Sequence, residues 1–303
     1  MRNTIMFLAA SVSLTGALSG CVSHDASSSG APGSPTSPLS VERSLVQLEV
    51  VYTRASAQVG LDAAAHFVRY RTADVELDQR AVATVLGLQH DDDLAVGSCR
   101  AVDEAQAPAG RASSLDIALL DAGSLTIRNA GVVETVLAPK HYPELLPFVS
   151  GVVYGEEDTQ SRAPAGSARI EIEAEGGEDV GPFVTSAMLP RAFPELVVTR
   201  TGAGLELSWA ALSNAATVPA TVLIDLRWGG ARAGSVRCRA ADDGHFAVAR
   251  TSSTLAARLD DALAQGAQVA ASVSRSEQAT LDAPGVGAGR LLVTLRDTAT
   301  ISQ

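Results

Sequence analysis

The chain has 303 residues, 46% hydrophobic and 4% aromatic, and its 23 basic and 34 acidic side chains leave a net charge of −11. A surface of that sign repels phosphate backbones and anionic lipid headgroups, which excludes nucleic acid as an expected partner. The length suits one large domain or two of ordinary size.

Met1-Arg2-Asn3 supplies one positive charge, and the stretch from Ile5 to Ala17 carries none. About a dozen apolar residues suit the core of a signal peptide and fall short of the ~20 that a membrane-spanning helix needs. Small residues follow, reading Leu18-Ser19-Gly20-Cys21. This tetrapeptide resembles the lipobox of bacterial lipoproteins. The resemblance implies a signal peptide over 1–20, cleavage before Cys21, and lipidation of Cys21 with diacylglycerol and palmitate. The other reading is an ordinary secretory signal with a cysteine near its end. Val22, not aspartate, follows the cysteine. Under the sorting rule that the resemblance brings, this implies the outer membrane. Ser23 to Ser40 is rich in Ser, Gly and Pro without apolar periodicity, so residues 21–40 predict a lipidated cysteine on a flexible tether.

Beyond the tether, strand signals dominate. Val46, Leu48, Val50 and Tyr52 alternate with polar residues, as do Ala168, Ile170, Ile172 and Ala174, and Val222, Ile224, Leu226 and Trp228. A period of two gives one apolar and one solvated face. Further strands are expected at Ala64–Tyr70, Leu94–Cys99, Leu115–Leu120, Leu125–Arg128, Val132–Leu137, Phe148–Tyr154, Phe183–Leu189, Leu205–Trp209, Val236–Ala240, Phe246–Ala249, Val269–Val273 and Leu291–Leu295. Short strands between Gly, Pro, Asp and Asn predict a mainly β protein, an antiparallel β-sandwich or barrel. Two short helices interrupt the pattern. Leu77, Ala81, Val85 and Leu88 carry the first behind Asp74. Leu255, Leu259 and Leu263 carry the second, with Ser252 or Ser253 as cap and Gly266 just past the end.

The proline-bearing stretch Leu189–Pro194 is the expected boundary between a β-rich domain at 41–190 and a second domain at 191–303. Leu205-Glu206-Leu207-Ser208-Trp209 is similar to the tryptophan-bearing second strand of fibronectin type III domains, which implies Ig/fibronectin-III-like sandwiches. Leu120–Thr126 and Gly176–Phe183 resemble recurring pieces of uncharacterised secreted β-rich proteins of high-GC bacteria. That resemblance implies a β-sandwich and no activity.

No G-x-S-x-G, S-x-x-K, H-E-x-x-H or phosphate-binding glycine loop occurs. His66, His90, His141 and His245 lack ligand spacing and read as surface or partly packed residues. His90-Asp91-Asp92-Asp93 and Asp242-Asp243-Gly244 are the best candidates for a cation, ahead of Glu156-Glu157-Asp158 and Glu178-Asp179. Neither run has the D-x-D-x-D spacing of a calcium loop, so both read as solvated turns. Tyr52, Phe67, Tyr70, Trp209 and Trp228 read as core, and His141-Tyr142-Pro143 as an exposed loop. No metal site, cofactor or catalytic residue is expected. Cys99 and Cys238 are an even pair in an oxidising compartment and read either as a disulfide or as two separately buried thiols. The sequence thus predicts a non-enzymatic binding or scaffold lipoprotein, held to the membrane by its lipid and facing an envelope protein partner. The alternatives are an accessory subunit of a cell-envelope secretion, adhesion or motility complex and, behind it, an enzyme with an unrecognised site.

Overall fold

The alternation of Val46, Leu48, Val50 and Tyr52 becomes β1 (Val41–Ala55), and these four side chains point into one core. The structure is a computed structural model describing residues 41–55, 58–72, 82, 86, 88, 94–102, 116–141, 149–161, 168–193, 196–201, 204–211, 220–229, 233–248 and 253–301. Residues 39–303 make one compact unit. The expected signal peptide, Cys21 and tether lie outside the described residues.

Ten strands form one sheet. In chain order they are β1, β2 (Gln58–Thr72), β3 (Ser98–Ala101), β4 (Asp116–Leu119), β7 (Lys140–His141), β8 (Val149–Ser161), β13 (Thr221–Trp228), β14 (Gly234–Ala241), β16 (Val269–Ala283) and β17 (Gly287–Ile301). Across the sheet the order is β3-β14-β13-β16-β17-β1-β2-β4-β8-β7. A four-stranded sheet has the order β10-β9-β5-β6, from β5 (Leu125–Asn129), β6 (Val132–Leu137), β9 (Arg169–Ala174) and β10 (Phe183–Met188). A third sheet joins β11 (Val197–Thr201), β12 (Gly204–Ser208) and β15 (His245–Ala247). The fold is mainly β, and the sheets stack without closing into a barrel.

Two apolar cores lie along the large sheet. In the first, Ile127, Ile170 and Ile172 of the four-stranded sheet meet Leu48, Phe67 and Val293 of the large one. In the second, Leu205 and Leu207 of β12 and the helix α1 (Ser253–Ala264) cover Ile224, Val236 and Val273. Val68 and Tyr70, out of phase with Ala65 and Phe67, join Ile117, Val149 and Val82 in a smaller cluster. Leu189 belongs to the first core and Phe193 to the second. The sheet itself runs through both parts, and Leu281, Leu291 and Leu295 near the C-terminus return to the first core.

Most pairings are antiparallel, as expected, but β1–β17 and β4–β8 are parallel. Parallel neighbours need a long connection, and for β1–β17 almost the whole described chain supplies it. Of the expected strand Leu94–Cys99 only Ser98 and Cys99 are extended, as the start of β3; Gly97 adopts φ 83° just before it. Glu156, Glu157 and Asp158 belong to β8, which runs past the expected end at Tyr154. Of the expected first helix only Val82, Leu86 and Leu88 are described; the Leu86 N–H donates to the Val82 carbonyl, one helical turn back. The second helix forms as expected, burying Leu255, Leu259 and Leu263 on one stripe. Among the described residues no helix is long and apolar enough to cross a membrane.

Candidate functional site

The structure joins Cys99 and Cys238 by a disulfide across directly paired positions of β3 and β14, with Cα atoms 4.0 Å apart. Cys238 is fully buried in the second core and Cys99 packs against it. The bond fastens a four-residue edge strand, which has few ladder hydrogen bonds of its own, to the sheet.

The histidines stay apart. His66 is half-buried on β2 opposite Gln47, and its desolvation holds its pKa below the ordinary value. His141 is exposed on β7, and His245 is exposed on β15 with Nε2 3.9 Å from Glu206. His90 to Asp93, Tyr142 and Pro143 lie outside the described residues. Glu156 faces the Lys140 ammonium at 3.6 Å, and Glu178 is exposed. Among the described residues no three His, Cys, Asp or Glu side chains gather so as to hold a metal ion.

The Asp242-Asp243-Gly244 run is a turn between β14 and β15, as expected, but Asp242 is not solvated. Its carboxylate accepts Arg275 Nε at 2.7 Å, Arg275 Nη2 at 2.9 Å and Trp209 Nε1 at 2.8 Å. Arg275 also donates to the carbonyls of Arg191, Ala192 and Ala210, and its guanidinium lies 4.0 Å from the centre of the Phe193 ring. A turn signature gives no sign of this, because the partner Arg275 comes from β16. Phe193 in turn meets Trp209 edge-on at 6.5 Å. This charged knot holds the segment between the two cores against the large sheet. Arg237 and Asp225, paired across β13 and β14 at 2.7 Å, form a second buried ion pair. Buried pairs of this kind fix geometry and are consumed by the fold.

Leu120–Thr126 and Gly176–Phe183, the two segments that share a resemblance, pack directly on one another. Asp121 N–H donates to Asp179 Oδ2 at 2.9 Å, and the N–H groups of Asp179 and Val180 return to the Asp121 carbonyl. The Tyr154 hydroxyl donates to Asp121 Oδ1 at 3.0 Å and accepts from Ala122 N–H. A Cβ on Gly123 would stand 2.4 Å from the Gly176 carbonyl oxygen, so the two chains approach as only glycine allows. The carboxylates and the hydroxyl hold the two loops together.

The described residues also form a cleft at the strand ends. The ends of β13, α1, β16 and β17 converge on a cleft of about 680 Å³, lined by Arg227, Trp228, Gln265, Gln268, Thr300 and several Gly and Ala residues. The helix end that forms its wall is a Schellman turn: Ala267 N–H donates to the Ala262 carbonyl and Gly266 N–H to that of Leu263. Gly266 adopts φ 80°, the left-handed conformation this turn requires. Trp228 is 7% exposed and presents only part of its ring. Arg227 is exposed and has no carboxylate partner among the described residues. Arg227 and Trp228 are neighbours on β13 and point to opposite faces of the sheet, so the cleft lies around the strand ends, with Trp228 on the face that α1 covers. Sequence reasoning passed over it because its lining residues come from β13, the end of α1, the α1–β16 connection, β16 and β17, which are far apart in the chain. The chain matches no known family and no curated protein.

Proposed function

We propose that the protein is a lipid-anchored, non-enzymatic binding module of the bacterial cell envelope, held at the outer membrane through Cys21. The observation that carries this reading is the order of the N-terminal segments: a charge, an uncharged apolar stretch, Leu18-Ser19-Gly20-Cys21, and a Ser/Gly/Pro tether leading to Val41. β1 begins at Val41 and sits between β17 and β2, so a tether at that point pulls on the middle of the sheet and not on a frayed edge. The cleft supports the binding part of the reading. Cys21→Ala tests the anchor: the wild type should incorporate labelled palmitate and resist a high-salt wash, since each buried methylene of an acyl chain contributes about 0.8 kcal/mol. The variant should lose the label and fractionate as a soluble or uncleaved species. A variant that still carries lipid would overturn the assignment.

Exposed apolar side chains favour a second reading, a subunit of an envelope complex. Val133 and Val136 on β6 and Val184 and Met188 on β10 face outward at the two edges of the four-stranded sheet, flanking Arg128, Glu171 and Glu173. Cross-linking in intact cells should then trap a protein through β6, and Val136→Glu should abolish that adduct while leaving palmitate labelling unchanged.

A further inference from the structure

We propose that β3 is a reducible latch: cleavage of Cys99–Cys238 by a dithiol releases β3 and opens the β14 edge of the large sheet, while the rest of the fold holds. The first support is where the bond sits in the ladder. Val102 N–H donates to the Ser235 carbonyl and Gly97 N–H to the Arg239 carbonyl, so β14 turns the backbone groups of Ser235, Arg237 and Arg239 toward β3. Cys238 alternates with them, and its own backbone groups face β13. At the Cys99–Cys238 pair only the side chains join the two strands.

The second support is how little else in β3 grips the sheet. None of its four side chains is fully buried. Arg100 stands directly opposite Arg237, and like charges across a strand pair repel. Arg237 is already committed to Asp225 at 2.7 Å, and Ser98 Oγ donates within its own turn, to the Ala95 carbonyl. The side-chain bonds to this segment lie outside the strand, from Ser235 Oγ to the Val102 carbonyl and from Arg239 Nη1 to that of Leu94. β14 is anchored independently. It pairs with β13 over eight positions and buries Val236, Cys238 and Ala240 in the second core. As a thiol, Cys238 still packs there as a small apolar side chain.

Exposure sets the direction of attack. Cys99 is only partly buried and Cys238 fully so, so a thiolate reaches Cys99 Sγ from the side away from Cys238. A bond forms between the reductant sulfur and Cys99 Sγ as the Cys99–Cys238 bond breaks, and Cys238 leaves as a thiolate that takes a proton. The second thiolate of the dithiol then attacks the reductant sulfur of this mixed disulfide, and Cys99 leaves and takes the other proton. The dithiol ends as a disulfide and the two cysteines as thiols. A Cys-x-x-Cys pair on a thiol oxidoreductase is a reductant of this class.

The test is hydrogen exchange of the full chain in detergent micelles, with and without dithiothreitol and without denaturant, read residue by residue by fragmentation mass spectrometry. Thiols on the Cys99 and Cys238 peptides are counted by alkylation in denaturant after the reductant is removed. Dithiothreitol is expected to free both thiols and to speed exchange at Arg100, Arg237 and Arg239 at least about tenfold. Exchange at Val236 and Cys238, whose N–H groups face β13, and along β5 and β9 should change less than about twofold. Cys99→Ala combined with Cys238→Ala should show the fast pattern from the start and ignore dithiothreitol. A bond that resists dithiothreitol in the folded protein would overturn the proposal. So would reduction that leaves Arg100, Arg237 and Arg239 unchanged, or that speeds β5 and β9 as much as β14.

Discussion

The Arg275 guanidinium has five N–H donors, and each has an acceptor: two at Asp242 and one each at the carbonyls of Arg191, Ala192 and Ala210. Removing the counter-charge therefore leaves a buried cation with only dipoles around it. Asp242→Ala is expected to cost about 3–5 kcal/mol in urea unfolding, whereas Asp243→Ala, one residue along the same turn and exposed, should cost at most about 1 kcal/mol. Equal costs would mean that the knot carries no more than the turn does. His66 gives a pH signature. Its pKa lies below the ordinary 6.5 because burial disfavours the charged ring. As pH falls the unfolded chain takes up the proton first, so the native state loses stability from about 6.5 downward and keeps it above. The urea midpoint should drop between about pH 7 and pH 5, and His66→Gln should flatten that part of the curve. A midpoint with the same slope in both proteins would show that His66 is not the group responsible.

At the scale of elements, the disulfide closes a span of 139 residues. Chain entropy alone assigns such a cross-link roughly 4–5 kcal/mol, with measured values commonly 2–5. Cys99→Ala combined with Cys238→Ala should lower stability by about that amount and speed hydrogen exchange at Arg100 and Ala101, with exchange on β5 and β9 little changed. A reductant should then no longer lower the melting temperature. Alternation made many strands legible: β9 is Arg169–Ala174, with buried Ile170, Ile172 and Ala174. Leu255, Leu259, Leu263 and Gly266 likewise marked α1 and its end. What could not be read was length and edge. β16 and β17 run 15 residues each, well beyond Val269–Val273 and Leu291–Leu295, because their outer parts mix Ser, Thr, Arg and Gln on a half-exposed face. β11 carried no clear alternation, having only one side of β12 to pair with.

For the molecule as a whole, partners distant in sequence decide the architecture. Arg54 on β1 donates to Asp297 on β17 at 2.5 Å, 243 residues away, and to the Phe193 carbonyl between the two cores. No local period encodes such a pairing, which is why the sequence suggested two sandwiches in succession and the structure has one sheet serving two cores. The cleft was hidden for the same reason. Arg227, Gln265, Gln268 and Thr300 look like unrelated surface residues until the sheet brings four element ends together. The address, by contrast, rests wholly on consecutive residues, and the account of the protein as an anchored binding module stands or falls with it. The most direct measurement is intact and N-terminal peptide mass spectrometry of the protein extracted from the cell envelope. The expected result is a chain beginning at Cys21, with residues 1–20 removed and the cysteine carrying acyl chains. A chain that retains Met1 to Gly20, or one with a free thiol at Cys21, would contradict it.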